Sequence, residues 1–441
     1  MKDIIILGSG LAGSLLSILL ARQGYAVQVY EKRGDPRSQE AAGGRSINLA
    51  LSRRGWRALE AAGVDDAVRE QAIAMRGRMI HDAEGNTTLQ PYGTDGQAIY
   101  SVSRGALNQL LLSEAERHGV QLFFEHPCQS VNLEQGQPLI HDLRQDRQTT
   151  PEADLLIGAD GAYSTLRGAM QFTPRFNYSQ HYIEHGYKEL HIPPAAGDFA
   201  MEPYALHIWP RGGYMLIALP NADKSFTATL FLPYEGLNSF AQLAQEAQLR
   251  EFFAEQFPDA LALMPSLTED FFNNPTADLV TIQCYPWSRY GRNLLIGDAA
   301  HAIVPFYGQG MNAAFEDCRL LAERFTDQPT DLATELEQFQ QQRKPDADAI
   351  AELALQNFVE MRDRVADPQF VAQKKIEAEL HRRYPDRWIP LYTRVTFSDD
   401  RYSEALRMGQ REEAIMQRVM QKEPDPAKLT DEDYARIVNS L

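Results

Sequence analysis

The stretch Ile4-Ile5-Ile6-Leu7-Gly8-Ser9-Gly10-Leu11-Ala12-Gly13 decides the fold of this 441-residue chain. An apolar strand, Ile4 to Leu7, leads into a G-x-G-x-x-G turn, and a helix pattern from Ser14 to Arg22 follows. A second strand, Ala26 to Tyr30, ends at Glu31. The first glycine permits the tight turn, the second lets the backbone approach a pyrophosphate, and the third lets helix and strand pack closely. The spacing predicts a Rossmann-like unit that binds a dinucleotide.

The acid at the end of the second strand selects the dinucleotide. Glu31 lies where such folds bind ribose hydroxyls, and its charge would repel the 2′-phosphate of NADP. We therefore assign this site to the adenosine of FAD and place any nicotinamide cofactor elsewhere. Ordinary solvent exposure is the favoured interpretation of Lys32. The cofactor-binding residues predicted from this unit are Gly8, Gly10, Leu11, Ala12, Gly13, Glu31, Lys32 and Arg33.

Two later segments complete the same kind of site. Asp154 to Gly161 reads as a strand that ends in Asp-Gly, which taken alone is usually just a turn. The segment Gly297 to Pro305 follows an apolar strand, Asn293 to Ile296, and a helix pattern starts near Gly310. A carboxylate at a strand end can hold a sugar hydroxyl, and a helix N-terminus offers N–H groups to an electron-rich ring. The further cofactor-binding residues predicted here are Asp160, Asp298, Gly310, Met311 and Asn312.

Composition excludes several classes of function. The formal net charge of −17 argues against nucleic acid or an anionic membrane surface as a partner. A hydrophobic content of 44% with 23% charged residues indicates a globular chain. Cys128, Cys284 and Cys318 are far apart and show no metal-ligand spacing, so no metal site is predicted. No apolar run approaches the roughly 20 residues that span a bilayer, and the chain begins with a strand pattern, so a cytoplasmic location without a membrane anchor is expected.

The order of strand and helix patterns predicts an α/β fold. We expect a Rossmann-like FAD-binding domain in residues 1–174 and 289–330, and an antiparallel β-sheet substrate domain in residues 175–288. A helical C-terminal region, residues 331–441, is expected to cover the active site. The predicted strands of the sheet domain are Tyr204–Trp209, Tyr214–Leu219 and Ser225–Leu232. The predicted later helices are Gly310–Phe325, Asp331–Gln342, Asp346–Val365, Asp367–Arg383 and Ser403–Gln421.

The ordered trio of Gly-rich turn, Asp-Gly and Gly-Asp resembles the single-chain FAD-dependent aromatic hydroxylases. Further stretches, spread over nearly the full length, resemble the kynurenine 3-monooxygenase family in a soluble, bacterial-type form. They are Met75–His81, Pro91–Thr94, Tyr100–Arg104, His207–Arg211, Ile217–Asn221, Phe306–Asn312, Asn357–Arg362, Ile389–Tyr392 and Val395–Ser398. The resemblance implies NADPH- and O₂-dependent hydroxylation of L-kynurenine to 3-hydroxykynurenine, a step of tryptophan catabolism, through a flavin hydroperoxide.

The resemblance also implies which residues hold the substrate. In that family an arginine and a tyrosine clamp the substrate carboxylate, and Arg78 and Tyr92 stand at the matching positions. A guanidinium grips a carboxylate bidentately, and a phenol can donate a further hydrogen bond. Asn357 and Tyr392 match further substrate-contacting positions, and Arg104 matches an arginine near the pyrophosphate. The remaining predicted substrate residues are Ile217, Leu219 and Phe231, for which ordinary core packing is the alternative, and Tyr307 beside the flavin edge.

The implied chemistry needs no acid or base from the protein, because the aniline nitrogen of kynurenine activates the ring carbon that is attacked. No side chain is therefore predicted to be catalytic, and we interpret His301 as structural or flavin-contacting. FAD is expected to bind non-covalently, with NADPH as co-substrate. Two alternatives stay open: hydroxylation of another aromatic acid on the same fold, and a non-catalytic FAD-binding interaction protein. The sequence does not decide whether the chain forms a homodimer, or whether it prefers NADPH or NADH.

Overall fold

The structure of the chain is a computed structural model that describes residues 2–38, 48–93, 96–326, 328–364 and 367–441. Its strands are β1 (Asp3–Leu7), β2 (Ala26–Glu31), β3 (Asn48–Leu51), β4 (Ile73–Met75), β5 (Gly77–His81), β6 (Thr87–Pro91), β7 (Ile99–Ser103), β8 (Gln121–Phe124), β9 (Cys128–Asn132), β10 (Gln137–Asp142), β11 (Arg147–Thr149), β12 (Leu155–Gly158), β13 (Asn177–Ile192), β14 (Leu206–Pro210), β15 (Met215–Pro220), β16 (Phe226–Pro233), β17 (Ala277–Tyr285), β18 (Ser288–Arg289) and β19 (Asn293–Leu295).

Its α-helices are α1 (Leu11–Arg22), α2 (Arg53–Ala62), α3 (Asp65–Arg69), α4 (Arg104–Arg117), α5 (Thr165–Met170), α6 (Glu246–Gln256), α7 (Pro258–Leu261), α8 (Leu267–Asn273), α9 (Asp298–His301), α10 (Gly310–Phe325), α11 (Leu332–Val359), α12 (Pro368–Arg383), α13 (Leu391–Phe397), α14 (Tyr402–Lys422) and α15 (Asp431–Asn439). Short 3-10 helices lie at Phe240–Gln242, Pro305–Tyr307 and Pro426–Lys428, and a π-helical turn follows α11 at Glu360–Arg364. Among the described residues, no helix is both long and apolar enough to cross a membrane.

The first compact unit comprises Met1–Ala72, Ser101–Tyr182 and Val280–Ala351. Its six-stranded sheet has the order β18-β19-β12-β1-β2-β8, and β1 pairs in parallel with both β2 and β12. Four residues of β1 are fully buried, as expected for a parallel strand covered on both faces. Since the carboxyl ends of parallel strands meet at one edge, the Gly-rich turn, Glu31, the Asp-Gly turn and the Gly-Asp turn converge there.

The second compact unit comprises Ile73–Tyr100, Ile183–Leu279 and Glu352–Leu441. It is built on a seven-stranded sheet with the order β17-β13-β16-β15-β14-β5-β6. Strands β14, β15 and β16 pair in antiparallel fashion, as predicted, whereas β14 and β5 are parallel. One face of this sheet packs against α6, α7 and α8 in a core that includes Trp209, Leu216, Leu230 and Phe253. The other face carries the predicted substrate residues described below.

Two features differ from the sequence expectations. The predicted boundaries place residues 73–100 in the FAD-binding domain, whereas this segment belongs to the second compact unit, because β5 pairs with the distant strand β14. The two predicted helices Asp331–Gln342 and Asp346–Val365 are one helix, α11, which contains Pro345 and ends at Val359. Buried apolar residues on both sides of Pro345 hold this helix together, so tertiary packing outweighs the local cost of the proline. The predicted end at residue 365 lies outside the described residues.

Candidate active site

Each glycine of the Gly-rich turn is suited to its position for a different structural reason. Gly8 has a φ of +96°, and a side chain there would meet the Ala159 carbonyl oxygen at 2.6 Å. A Cβ atom at Gly13 would lie 2.0 Å from the Gly8 carbonyl oxygen, so helix α1 could not approach the turn. Gly10 is different, because nothing lies within 4 Å of the position its Cβ would take. The open space at Gly10 fits the approach of a pyrophosphate to the backbone.

Glu31 is buried at the end of β2, and its carboxylate ties the turn to the strand. Its Oε2 atom accepts a hydrogen bond from the Ser9 backbone N–H at 2.9 Å. Its Oε1 atom accepts from the Arg33 backbone N–H and from Nε of the same residue, each at 3.0 Å. Burial alone would raise the pKa of Glu31, but these bonds and the Arg33 charge outweigh it and hold the pKa below its usual value. Glu31 is therefore a carboxylate at the position where a ribose acceptor is predicted.

Asp160 lies directly beside the Gly-rich turn, since its Cα is 2.8 Å from the position a Cβ of Gly8 would take. Its Oδ2 atom accepts a hydrogen bond from the Thr165 backbone N–H at 2.7 Å. Its Oδ1 atom is buried without a hydrogen-bond partner in the described parts of the chain, and burial raises the pKa of this carboxyl. A buried acceptor beside the turn fits the predicted role of Asp160 toward FAD.

Asp298 is exposed, whereas every other residue from 293 to 302 is buried. It begins the short helix α9 after Gly297, and a Cβ at Gly297 would lie 3.4 Å from that of Ala12 in α1. Arg167 joins the Asp-Gly and Gly-Asp segments, because it donates to the carbonyl oxygens of Ala162 at 2.5 Å and Ala299 at 2.9 Å. The three sequence motifs therefore meet in one place, with the Asp298 carboxylate facing outward.

Helix α10 begins at Gly310, as predicted, and Asn312 holds its first turn to β3 and to the residue that follows β3. The Asn312 amide donates to the carbonyl oxygens of Ala50 and Gly308, each at 2.8 Å, and its Oδ1 accepts from the Ser52 backbone N–H at 2.9 Å. The side chain of Asn312 thus fixes the position of the helix N-terminus. What the first turn offers a flavin is its backbone N–H groups, which have no intrahelical acceptor.

The other predicted cofactor residues lie on or near this edge. Met311 is half-buried beside Asn312, and Tyr307 is buried in the 3-10 helix that precedes α10. Arg104 is exposed at the first position of α4. It stands four residues before Asn108, which donates to the Ser9 carbonyl oxygen at 3.0 Å, so both residues share a helix face toward the Gly-rich turn. Lys32 is exposed, in keeping with its favoured interpretation.

His301 belongs to a buried ionic network. Its Nε2 atom lies 2.5 Å from Oδ2 of Asp317, whose Oδ1 accepts from Nε of Arg343 at 2.8 Å. Burial would raise the pKa of Asp317, but His301 and Arg343 outweigh it and lower the pKa to about 2. Asp317 also accepts from the Gly297 backbone N–H at 3.2 Å. This geometry favours the structural interpretation of His301, because the imidazole is engaged in holding the Gly-Asp turn.

The predicted substrate residues of the second unit share one face of its sheet. Leu206 stands opposite Arg78, Ile208 opposite Ile217, and Met215 opposite Phe231. Because alternate residues of a strand point to the same face, Arg78, Ile217, Leu219 and Phe231 lie on the face opposite the core formed with α6–α8. Leu219 and Phe231 are buried, and Ile217 is half-buried. The sheet thus presents Ile217, Leu219 and Phe231 on the same face as the Arg78 guanidinium, which lies toward the β5 end.

Tyr92 and Tyr392 pack around that guanidinium. Their rings are stacked with centroids 5.1 Å apart, and the Arg78 Cζ atom lies 4.7 Å from the Tyr392 centroid and 5.8 Å from that of Tyr92. Phe397 closes the cluster, 6.0 Å from each tyrosine ring. Burial, with the neighbouring Tyr392, raises the pKa of Tyr92 well above its usual value, although Arg78 acts in the opposite direction. Tyr92 is therefore a phenol that can donate a hydrogen bond at neutral pH.

The end of α11 and the π-helical turn lie over the same face. Phe358 contacts His185 of β13 edge-on, with ring centroids 5.0 Å apart, and the π turn packs against β14. Asn357 is buried, and its amide donates to the Met361 sulfur at 3.2 Å. An Oε1 atom of Glu360 lies 3.9 Å from an Arg78 Nη1 atom.

Sequence reasoning missed some of the residues in the candidate cofactor site of the first unit and in the Arg78 cluster of the second unit. Glu360 and Phe397 fall within quoted family-like stretches, but their spacing along the chain gives no sign that Glu360 approaches Arg78 or that Phe397 packs against Tyr92 and Tyr392. Asn108 carries no local signal at all. Thr94, part of the quoted stretch Pro91–Thr94, lies outside the described residues.

Comparison with known proteins decides the family. Residues 1–354 match the FAD_binding_3 family, described as an FAD binding domain. A protein named kynurenine 3-monooxygenase from Flavobacterium psychrophilum is 50% identical over 423 residues, which cover 96% of this chain and 94% of the relative. The chain belongs to the kynurenine 3-monooxygenase family. Relatives of the same name from Stenotrophomonas maltophilia and Anopheles gambiae are 50% and 46% identical, covering 92% and 95% of this chain and 90% and 86% of the relatives.

Solved structures confirm the predicted fold class. The 2-methyl-3-hydroxypyridine-5-carboxylic acid oxygenase superposes with a TM-score of 0.68 at 20% identity, covering 83% of this chain and 94% of that one. The tetracycline destructase Tet(55) superposes with a TM-score of 0.65 at 17% identity, covering 88% and 98%. Family membership confirms that the chain is an FAD-dependent monooxygenase, and the open space at Gly10 with the Asp160 and Asp298 carboxylates fits that cofactor.

Proposed function

We propose that this protein hydroxylates L-kynurenine to 3-hydroxykynurenine with FAD as cofactor and NADPH and O₂ as co-substrates. The observation that carries the proposal is the cluster of Arg78, Tyr92 and Tyr392 on the sheet face that also carries Ile217, Leu219 and Phe231, in a member of the kynurenine 3-monooxygenase family. Kynurenine has a carboxylate at one end and an aromatic ring at the other, so it matches a cation next to an apolar wall.

In this proposal the residues of the second unit bind and orient the substrate. Arg78 holds the carboxylate bidentately, and the Tyr92 phenol donates a further hydrogen bond to it. Ile217, Leu219 and Phe231 receive the aromatic ring, which gains from leaving water. Fixing both ends of the molecule leaves one ring edge to react, so regiochemistry follows from orientation without an acid or base from the protein.

Residues of the first unit hold the cofactor. Gly10 would let the pyrophosphate approach the backbone, Glu31 would bind the adenosine ribose, and Asp298 would hold the ribityl or phosphate region. The backbone N–H groups at Met311 and Asn312, at the start of α10, would be available to the isoalloxazine. FAD held by these residues would supply the redox chemistry that uses NADPH and O₂ to hydroxylate the ring. A role for Tyr307 in placing the ring is part of the same proposal.

The C-terminal elements exclude water from the substrate. The π turn and α13 bring Glu360, Tyr392 and Phe397 onto the same sheet face as Arg78, which agrees with a helical region that covers the substrate. Dry surroundings favour transfer of oxygen to the ring over its release as hydrogen peroxide. We therefore propose that these elements are required for coupled turnover. We also propose that the protein is located in the cytoplasm.

The test measures NADPH oxidation and product formation with and without L-kynurenine. We expect kynurenine to accelerate NADPH oxidation and 3-hydroxykynurenine to appear in near-equal amount. Arg78→Ala should lower kcat/KM by about 30- to 1000-fold, as loss of a charge-assisted bidentate contact worth about 2–4 kcal/mol predicts. Arg78→Lys should restore only part of the loss, because the planar fork is absent.

A surface arginine provides the matched control. Arg382 on α12 is 63% exposed and pairs with Glu379, so Arg382→Ala should leave the kinetics unchanged. The proposal is wrong if the FAD-loaded wild-type protein forms no 3-hydroxykynurenine. If Arg78→Ala and Arg382→Ala behave alike, Arg78 does not bind the substrate.

A further inference from the structure

The guanidinium that is proposed to hold the substrate carboxylate has an acidic neighbour. Oε1 of Glu360 lies 3.9 Å from Nη1 of Arg78, and the two side chains are 30% and 13% exposed. A simple carboxylate clamp gains nothing from a second carboxylate at this distance, because like charges repel. Glu360 must therefore either compete with the substrate for Arg78 or bind a different group of the same molecule.

Kynurenine is an α-amino acid, so its carboxylate and its ammonium group sit on the same carbon atom. A fixed pair of opposite charges complements such a zwitterion, with Arg78 facing the carboxylate and Glu360 facing the ammonium. In that arrangement each charge has an opposite charge as its nearest neighbour, and no net charge is added to the half-buried site. We propose that Glu360 binds the α-ammonium group and makes the site selective for amino acids over deaminated aromatic acids.

The local backbone supports this role. Glu360 is the first residue of the π-helical turn that ends α11, and such turns frequently mark functional positions. The turn packs against β14, the strand that pairs with β5 at Arg78, so the sheet fixes the acid and the guanidinium relative to each other. Asn357, three residues earlier, is a predicted substrate residue on the same helix face.

A second cation, Lys374, lies near Glu360. Lys374 of α12 interacts electrostatically with Glu360, Glu377 and Glu413, and these acids raise its pKa although burial acts in the opposite direction. Arg78 and Lys374 therefore each place a positive charge near the Glu360 side chain. The other acids that face Lys374 lie on α12 and α14.

The inference rests on the proposed function, and its test compares two ligands. One is L-kynurenine; the other is its deaminated analogue, in which a hydrogen atom replaces the α-ammonium group. Dissociation constants are measured by perturbation of flavin absorbance in the FAD-loaded enzyme. We expect the wild-type protein to prefer kynurenine, and Glu360→Gln to reduce that preference by about tenfold, as loss of one charge-assisted hydrogen bond predicts.

Three further measurements make the result decisive. Glu360→Asp should restore part of the preference, because it keeps the carboxylate. Glu352→Gln, on the exposed side of α11, should leave the preference unchanged. Affinity of Glu360→Gln for the deaminated analogue should stay within about twofold of wild type, because that ligand has no ammonium group to lose.

An unchanged preference in Glu360→Gln would overturn the inference. Equal tightening of both ligands would also overturn it, since it would show that Glu360 competes for Arg78. Failure of the proposed function looks different, because the wild-type enzyme would then neither bind nor hydroxylate kynurenine.

Discussion

Two substitutions in the Gly-rich turn separate its packing role from its cofactor role. At Gly13 an added Cβ would lie 2.0 Å from the Gly8 carbonyl oxygen, well inside the 3.0 Å that real contacts respect, and the obstacle is backbone. The turn or α1 must move by about 1 Å, which costs about 3 kcal/mol or more. Gly13→Ala should therefore destabilise the protein even in the absence of FAD.

At Gly10 the change to alanine should leave the stability of the apoprotein almost unchanged and should weaken FAD binding. Its backbone is extended, with a φ of −67° and a ψ of −178°, and no atom lies within 4 Å of the added Cβ. The free energy of unfolding of the Gly10→Ala apoprotein should thus lie within about 1 kcal/mol of the wild-type value. Alanine makes the unfolded chain less flexible, which stabilises the folded protein slightly. FAD should lose its close approach to the backbone, and its affinity should fall by about 100-fold, which corresponds to about 2.7 kcal/mol.

The assay uses apoprotein, because bound FAD would itself stabilise the folded state. Urea unfolding followed by circular dichroism gives the stability, and titration with FAD gives the affinity. Gly168→Ala in α5, where the methyl group also meets nothing within 4 Å, is the matched control and should retain wild-type FAD affinity. Wild-type FAD affinity in Gly10→Ala, or a stable apoprotein in Gly13→Ala, would refute the reasoning.

Three further predictions concern groups with defined partners. Tyr392→Phe should keep the ring stack and weaken kynurenine binding by about 1 kcal/mol, measured as Kd, whereas Tyr392→Ala should cost clearly more. Asp317→Asn should lower the free energy of unfolding at pH 7 by about 3 kcal/mol in urea titrations. Because the pKa of Asp317 is lowered to about 2, the wild-type advantage is present above about pH 4 and should shrink as the pH falls toward 2. Burial raises the pKa of Glu412 to about 7 despite Arg394, so stability should fall as the pH rises from about 4.5 to 7, and Glu412→Gln should flatten that slope.

Local turn chemistry made the flavin motifs predictable from the sequence. Helix α10 runs from Gly310 to Phe325, the bounds that the sequence predicts, because a glycine turn and an apolar face define both ends. The three strands of the sheet domain were predicted within two residues at each end, since alternation and turn residues bound them. Such signals act over a few residues, and the sequence displays them directly.

Contacts between distant segments were not predictable in the same way. Strand β5 pairs with β14 across more than a hundred residues, and no local pattern specifies that partner. Helix α13, which carries Tyr392, has only seven residues, and its packing against α14 and the Arg78 cluster gives it stability that its length alone would not. The resemblance placed Arg78 and Tyr392 in one site, whereas residue patterns gave no reason to join them.

The ionisable groups near the candidate cofactor site and in the Arg78 cluster are consistent with a reaction in which the protein orients the substrate and transfers no proton. His301, the residue that most resembles a general base, is buried against Asp317 and holds a turn. Tyr92 has a raised pKa and stays a phenol, while Arg78 stays a cation throughout the physiological range. Neither the Arg78 guanidinium nor the Tyr92 phenol therefore changes its charge near neutral pH. It follows that a steep pH dependence of kynurenine binding between pH 6 and 8 would not arise from Arg78 or Tyr92.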